Sequence, residues 1–236
     1  MTEIDGGGRV VPLSRMRAAI ARRMSESKRT APHIYLTTEI DMEALSGAVE
    51  RRNRGAAPDA AASVTAALAR AVALTLRDEP ALNAHWTDDG PIQYDSVHLG
   101  IAIALDDGLI APALLDADSL DLGGTAAALR DLAARARAGK LRARELTAPT
   151  FTLSNLGMFE IVDFAAIVNP PQVGILATGR AQPRARVVDG QVVARLTLSA
   201  TLSADHRAID GAIGARFLHR LKARIEGPPD WLERDG

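Results

Sequence analysis

Residues 187–202 combine the clearest turn signal of this 236-residue chain with its strictest alternation of side chains. Asp189-Gly190 stands between two pairs of valines, a pattern typical of a two-residue β-hairpin. The returning strand alternates between two faces, with Leu196, Leu198, Ala200 and Leu202 inward and Arg195, Thr197, Ser199 and Thr201 outward. One apolar face and one polar face predict an antiparallel strand in a sheet that is covered on one side.

Strand and helix patterns interleave along the rest of the chain without regular βαβ spacing. Strands are predicted at 33–41, 97–105, 109–114, 150–154 and 173–179. Helices are predicted at 14–29, 63–77, 119–138 and 211–226, with a short helix capped by Asp41 and a loop at 51–59. The fold class is therefore α/β, a mixed sheet with flanking helices. We expect a flexible lead-in at 1–9, a single domain at 10–227 and a C-terminal tail at 228–236.

Composition excludes several classes of function. Lys and Arg number 28 against 29 Asp and Glu, which argues against nucleic acid or an anionic membrane as a partner. The chain has no cysteine, so disulfides, thiolate metal sites and a cysteine nucleophile are excluded. No apolar run approaches the roughly 20 residues that a membrane helix needs. We therefore expect a soluble, cytoplasmic protein.

The densest group of chemically active side chains is the run Ser-Ala-Asp-His-Arg-Ala-Ile-Asp-Gly at 203–211. His206 stands where the strand pattern gives way to a helix pattern, a position from which a side chain can project into a cleft. Asp210 stands where the helix pattern begins. A metal site is disfavoured because no third ligand has a suitable spacing, and a serine hydrolase because Gly-x-Ser-x-Gly is absent. His206 and Asp210 are therefore candidate catalytic residues, and no metal is expected.

A second candidate is Ser154, at the end of the strand predicted at 150–154. It is followed by Asn155 and by a turn that contains Gly157. A hydroxyl in this place can donate a hydrogen bond to an oxyanion. Serine and asparagine beside glycine are also ordinary in turns, so this segment alone leaves a purely structural role open.

Five segments together resemble the catalytic domain of the dihydrolipoamide acyltransferases, the core subunits of 2-oxoacid dehydrogenase complexes. They occur in the family's order and extend from Val11 to Glu226, nearly the whole chain. The matching runs are Pro12-Leu13-Ser14 with Ile20-Ala21-Arg22-Arg23-Met24, Asp107-Gly108-Leu109-Ile110-x-Pro112, Phe151 to Phe159, Asn169-Pro170-Pro171-Gln172 and Asp205-His206-Arg207-x-x-Asp210-Gly211.

The resemblance implies a fold shared with chloramphenicol acetyltransferase, assembled as trimers with active sites between subunits. By position, His206 corresponds to the family's general base and Ser154 to the hydroxyl that hydrogen-bonds the tetrahedral oxyanion. Asp210 corresponds to the carboxylate that holds the active-site loop in shape. The implied reaction moves an acyl group between a dihydrolipoyl thiol and coenzyme A, without a metal. Neutral imidazole suits this chemistry, because a thiol with a pKa of about 8.5 must lose its proton to attack.

The resemblance also implies partners. These are a lipoyl-bearing domain and the decarboxylase and dihydrolipoamide dehydrogenase components of the complex. None of the three lysines, Lys28, Lys140 and Lys222, stands in a lipoyl-type hairpin, so we expect another domain or chain to supply the lipoyl group. We expect a homotrimer, and the charged C-terminal end leaves a larger cage open.

Two alternative functions stay open at this point. One is a free-standing coenzyme A-dependent acyltransferase with a small-molecule acceptor, and the other is a non-catalytic assembly core. The acyl group could be acetyl, succinyl or branched-chain, and no coenzyme A contact is assigned. Glu160 stands where the family usually has glycine, and an extra carboxylate near the site could alter the acyl pocket.

Overall fold

The computed structural model describes residues 3–4, 8–105 and 107–233. These residues contain six α-helices: α1 (Arg15–Thr30), α2 (Glu43–Asn53), α3 (Val64–Asp78), α4 (Leu122–Arg137), α5 (Ala143–Thr147) and α6 (Gly211–Glu226). The four longest begin at polar N-caps whose side chains accept a backbone N–H of the first turn, Ser14, Ser63, Asp121 and Asp210. The four long helices predicted from the sequence are confirmed.

The same residues form thirteen strands: β1 (Glu3–Ile4), β2 (Gly8–Arg9), β3 (His33–Asp41), β4 (Ala84–Thr87), β5 (Gly90–Gln93), β6 (Leu99–Ile101), β7 (Ile103–Leu105), β8 (Gly108–Ile110), β9 (Ala113–Leu114), β10 (Phe151–Asn155), β11 (Gly174–Thr178), β12 (Gln182–Val188) and β13 (Gln191–Asp205). The main sheet has the order β12-β13-β11-β10-β6-β9, and β3 also pairs with β13. Strands β6, β10 and β11 are parallel, whereas β13 is antiparallel to its neighbours. The predicted mixed sheet is therefore confirmed.

Strand β13 is the long element that the hairpin pattern predicts. Asp189 and Gly190 have φ values of 50° and 78°, as a type I′ turn requires. Leu198, Ala200 and Leu202 point into the core, as expected. The prediction of an outward polar face is wrong, since three of the four residues assigned to it are buried, Thr197, Ser199 and Thr201.

Two features account for the burial of this hydroxyl face. The hydroxyls have partners within the sheet: Thr37 Oγ1 lies 2.9 Å from Thr201 Oγ1, and Arg184 donates to Ser199 Oγ over 3.0 Å. The connection between β10 and β11 also lies over this side, because a side chain at Gly179 would overlap the carbonyl oxygen of Val162. Alternation shows which side chains share a face of the strand. It does not show whether that face is exposed, because hydroxyls that are hydrogen-bonded can be buried at little cost.

Several predicted boundaries differ from the structure. The strand predicted at 97–105 is divided into β6, in the main sheet, and β7, which pairs with β8. Asp106 of the intervening turn lies outside the described residues. Asp41 accepts a hydrogen bond from the backbone of Glu43, but the N-cap of α2 is Met42. Helix α2 extends to residue 53, and the β4–β5 hairpin and α5 have no counterpart among the predictions.

Both ends of the described chain have some structure. Residues 3–4 pair with residues 8–9, and the rest of the lead-in predicted at 1–9 lies outside the described residues. Near the other end, a 3₁₀ turn over Pro229–Leu232 buries Trp231 and Leu232 in the core. The first residues of the segment predicted as a tail therefore pack with the domain.

The core lies between the sheet and the helices. Helix α3 is buried along almost its whole length, and its alanines allow α4 and α6 to pack closely against it. This arrangement places Ser154 on β10 and His206 after the end of β13. No helix in the described ranges is long and apolar enough to cross a membrane.

Candidate active site

His206 occupies the turn between β13 and α6, as the sequence predicts. Its backbone N–H donates to the carbonyl of Pro32 over 2.8 Å, and its side chain is exposed. The ring nitrogen Nδ1 lies 3.1 Å from the carbonyl oxygen of Ile209. Because a carbonyl can only accept, Nδ1 carries the proton of the neutral ring. Nε2 then keeps its lone pair and is available as a base.

Asp205 and Arg207 fix the turn on either side of His206. The Asp205 carboxylate is 2% exposed and accepts from Arg207 at the backbone N–H (3.1 Å), at Nε (3.0 Å) and at Nη2 (2.6 Å). These side-chain hydrogen bonds raise the pKa of Arg207 above its already high ordinary value, so the guanidinium stays charged. The guanidinium also lies 4.5 Å from the ring centroid of Trp86, in a cation–π contact.

Asp210 begins helix α6. Its carboxylate accepts the backbone N–H of Ile213 over 2.7 Å, which makes it the N-cap of the helix. The carbonyl that holds the imidazole belongs to the preceding residue, Ile209. The cap at Asp210 therefore fixes the backbone next to the group that orients His206.

Ser154 lies on β10, with its backbone paired to Ala177 of β11. The residue is only 6% exposed, and its hydroxyl has no hydrogen-bond partner among the described residues. The next residue shapes the turn, since Asn155 accepts the backbone N–H of Gly157 over 2.8 Å and donates to Thr65 Oγ1 over 3.1 Å. The hydroxyl of Ser154 is thus free to donate to a bound molecule.

A cavity of about 570 Å³ borders Ser154, and we name it the Ser154 cavity. Its walls are mainly apolar and come from α1, the β7–β8 ribbon and the β10–β11 connection, including Met16, Ile20, Met24, Leu109, Phe164 and Ile167. The polar side chains at its wall are few, Arg23, Thr152, Ser154 and Asn169. The Thr152 hydroxyl is already engaged, since it donates to Gln172 Oε1 over 2.6 Å. Such a site fits a mainly apolar ligand with one polar group near Ser154.

His206 does not line the Ser154 cavity. The sheet register places Ser154 opposite Ala177 and Ala177 opposite Thr201, and His206 follows five positions further along the chain. With strands about 4.8 Å apart and a rise of about 3.3 Å per residue, the Cα atoms of Ser154 and His206 are about 19 Å apart. Within one chain these two predicted site residues are therefore not brought together. A site that uses both requires two copies of the chain.

Sequence reasoning missed Trp86, which contacts Arg207 from the β4–β5 hairpin. The sequence signal that could have identified Trp86 is its rarity, because the chain has only two tryptophans and 3% aromatic residues. Within one chain, the Glu160 carboxylate pairs with Arg180 and does not line the Ser154 cavity. Its φ of 59° explains why glycine suits this position. In the described ranges, no group of three or more His, Cys, Asp or Glu could hold a metal ion.

Comparison with curated sequences gives close relatives over nearly the whole chain. One is the dihydrolipoyllysine-residue acetyltransferase component of the pyruvate dehydrogenase complex of Rickettsia bellii (strain RML369-C). It is 39% identical over 222 residues, which cover 93% of this chain and 53% of the relative. The component of the same name from Rhizobium meliloti (strain 1021) is 37% identical over 233 residues, covering 96% and 52%. The chain thus spans about half the length of the curated relatives it matches.

Solved structures extend the likeness to the fold. The dihydrolipoamide acetyltransferase of Azotobacter vinelandii has a TM-score of 0.89 and 31% identity, covering 96% of both chains. That structure concerns the roles of a serine, a histidine and an asparagine in the catalytic mechanism. The first two stand 52 positions apart and the third follows four positions later, as Ser154, His206 and Asp210 do here. The asparagine therefore corresponds in spacing to Asp210.

Two further comparisons bear on architecture and family. Chloramphenicol acetyltransferase has a TM-score of 0.56 and 15% identity over 90% of this chain and 94% of its own, which confirms the predicted fold class. The sequence model of the family described as 2-oxoacid dehydrogenases acyltransferase (catalytic domain) matches residues 6–233. The chain belongs to the 2-oxoacid dehydrogenase acyltransferase catalytic-domain family, as its motifs predict.

Proposed function

We propose that this chain catalyses reversible acyl transfer between a dihydrolipoyl thiol and coenzyme A. The observation that carries the proposal is the state of His206, whose ring is exposed and whose Nδ1 is held by the Ile209 carbonyl. This leaves Nε2 free to take a thiol proton. The names of the relatives support the substrate class, since they are dihydrolipoyllysine-residue acetyltransferases.

The proton follows a simple path in this reaction. The coenzyme A thiol attacks the carbonyl carbon of the acyl-dihydrolipoyl thioester, and Nε2 of His206 accepts the thiol proton as the new C–S bond forms. The tetrahedral intermediate then collapses, and the bond from carbon to the dihydrolipoyl sulfur breaks. The imidazolium returns the proton to that sulfur, so His206 ends neutral with Nδ1 still donating to Ile209.

Ser154 supplies the donor for the negative charge of the intermediate. Its hydroxyl has no partner in the described part of the chain and borders a mainly apolar cavity, where a hydrogen bond to an oxyanion is strengthened. Loss of one such donor typically lowers kcat about 100- to 1000-fold. The apolar walls of the Ser154 cavity suit the carbon chain of the acyl group or of the dihydrolipoyl arm.

The distance between Ser154 and His206 within one chain supports a working site that lies between two copies. We propose a homotrimer in which His206 of one copy acts beside Ser154 of the next. The likeness to the cubic core of a pyruvate dehydrogenase multienzyme complex, with a TM-score of 0.89 and 31% identity over 96% of both chains, supports further assembly into a cage. The proposed partners are a lipoyl-bearing domain, the decarboxylase and the dihydrolipoamide dehydrogenase, as the relatives' place in that complex suggests.

Thiol exchange tests the proposed function. Acetyl-, succinyl- and isobutyryl-coenzyme A are each supplied with free dihydrolipoamide, and the formation of free coenzyme A and of S-acyldihydrolipoamide is followed over time. We expect turnover with one acyl class and its loss in His206→Ala, because this variant lacks the proposed proton acceptor. The matched control is His219→Ala, which removes an exposed histidine from α6 and should keep full activity.

The assembly state is measured on the same samples by light scattering, so that a loss of activity is not mistaken for a loss of folding. Near-normal turnover in a trimeric His206→Ala variant would contradict the assignment of the base. Turnover only with an alcohol or amine acceptor would replace the lipoyl thiol by a small-molecule substrate.

A further inference from the structure

Trp86 has a contact at the active-site turn without lining the Ser154 cavity. Its ring covers the guanidinium of Arg207, the residue that follows His206, with 4.5 Å between the guanidinium carbon and the ring centroid. Trp86 itself is half-buried on β4, in a two-stranded ribbon separate from the main sheet. The contact therefore links a peripheral hairpin to the turn that carries the proposed base.

The hairpin is held in place by its backbone. Trp86 N–H donates to the carbonyl of Pro171 over 2.7 Å, and Val173 N–H donates to the carbonyl of Ala84 over 3.2 Å. Val173 in turn accepts the backbone N–H of Asp205 over 2.9 Å. Because these bonds do not involve the indole, the hairpin should keep its position when the ring is removed.

Trp86 gives Arg207 a second contact in addition to Asp205. Asp205 accepts hydrogen bonds from Nε and Nη2 along one edge of the guanidinium, and the side chain of Arg207 is still 33% exposed. An aromatic ring over the flat face of the group restricts its rotation and keeps both nitrogens directed at the carboxylate. The backbone from Asp205 to Arg207 is then fixed on both sides of His206.

We propose that Trp86 is a positioning residue for His206 and acts through the Arg207–Asp205 pair. The inference rests on the proposed function, because it assigns Trp86 a part in placing the general base. Trp86 holds Arg207 over Asp205, and this pair holds the turn in which Nδ1 of His206 meets the Ile209 carbonyl. Without the ring, the turn samples conformations in which Nε2 no longer points toward a bound thiol, so kcat falls while substrate binding is retained.

The test compares Trp86→Leu and Trp86→Phe with the wild type in the thiol-exchange assay. We expect Trp86→Leu to lower kcat about three- to tenfold and to change KM for either substrate less than about twofold. Trp86→Phe keeps an aromatic face and should recover most of the lost kcat. The control is Ile92→Ala in the same hairpin: Ile92 pairs with His85, so it lies on the opposite face from Trp86 and should leave kcat unchanged.

A crystal structure of Trp86→Leu gives a readout that does not depend on turnover. We expect Arg207 to lose at least one bond to Asp205, and the distance from His206 Nδ1 to the Ile209 oxygen to exceed hydrogen-bond range. An unchanged turn, or a wild-type kcat in Trp86→Leu, would overturn the positioning role. If Trp86→Leu does not fold, Trp86→Met takes its place, because it also removes the aromatic face, and the same two outcomes are expected. Inactive wild type or active His206→Ala would instead overturn the proposed function, and the crystal structure would still decide the role of Trp86.

Discussion

At the level of single residues, the surroundings of His85 disfavour the charged form of its ring. Its Nε2 lies 2.9 Å from the carbonyl oxygen of Pro149, and its Nδ1 lies 2.9 Å from the hydroxyl of Tyr94. Nε2 donates to the carbonyl, so in the neutral ring Nδ1 accepts from the tyrosine hydroxyl. Burial lowers the pKa of His85 from its ordinary 6.5, and the hydrogen bond to Pro149 opposes this only in part.

The lowered pKa of His85 makes stability depend on pH in a defined direction. Above pH 6.5 the ring is neutral in both the folded and unfolded chain, so it adds no pH dependence. As the pH falls below 6.5, the unfolded chain takes up the proton first and the free energy of unfolding decreases, until the pH passes the folded pKa. One proton can contribute at most about 1.4 kcal/mol per pH unit.

Urea unfolding at pH 7.5 and pH 5.5 measures this loss of stability. We expect His85→Gln to lose less stability than the wild type over the same interval, since glutamine can donate to Pro149 but does not titrate. His219→Ala serves as the reference for removing an exposed histidine. Equal losses in His85→Gln and wild type would show that other groups carry the pH dependence.

At the level of elements, helix α6 depends on its cap for the position of the active-site turn. Asp210 accepts from Ile213 over 2.7 Å, and removal of an N-cap side chain typically costs about 1 kcal/mol. We therefore expect Asp210→Ala to lower the free energy of unfolding by about 1 kcal/mol and to reduce kcat. Asp210→Asn should keep both close to wild type, because asparagine caps equally well. Denaturant unfolding and the thiol-exchange assay check the pair, and a fully active Asp210→Ala would contradict a role in shaping the turn.

The elements themselves were largely predictable from local patterns. The Asp189-Gly190 turn and the helix patterns at 14–29, 63–77 and 211–226 are local signals, and each corresponds to an observed element. The β4–β5 hairpin was missed because its strands are four residues long and carry no strict alternation. Burial of Thr197 and Thr201 was missed because it depends on a connection distant in the sequence.

The candidate site was predictable as separate positions but not as an arrangement. Asp205-His206-Arg207 and Ser154 were identified by motif, and the structure places both at ends of strands in the main sheet. The tautomer of His206 depends on the Ile209 carbonyl, and the contact of Arg207 depends on Trp86, 121 positions earlier. These contacts form when the chain packs into its tertiary structure, so no local sequence pattern predicts them.

For the whole molecule, the separation of Ser154 from His206 predicts complementation between inactive chains. Ser154→Ala and His206→Ala should each be nearly inactive as pure trimers. When the two are co-expressed or refolded together, some interfaces combine the intact serine of one chain with the intact histidine of another. Random mixing at equal amounts should restore about a quarter of wild-type activity.

The thiol-exchange assay on mixed and unmixed samples measures this effect. Mixing the two variants after each has assembled is the control, and we expect less recovery there, because preformed trimers contain only one variant. Absence of recovery in co-refolded trimers would mean that both residues act within one chain or that one of them has no part in the reaction.

If the proposed site is shared between copies, with His206 on one chain and Ser154 on another, the rate of the reaction depends on how much of the protein is assembled. At low cellular concentration, each newly made chain can be folded and yet contribute no turnover, because its two half-sites face solvent. Activity then rises with roughly the third power of chain concentration until trimers predominate. Under the proposed function, a change in the synthesis or degradation of this chain is therefore expected to change its activity more than proportionally.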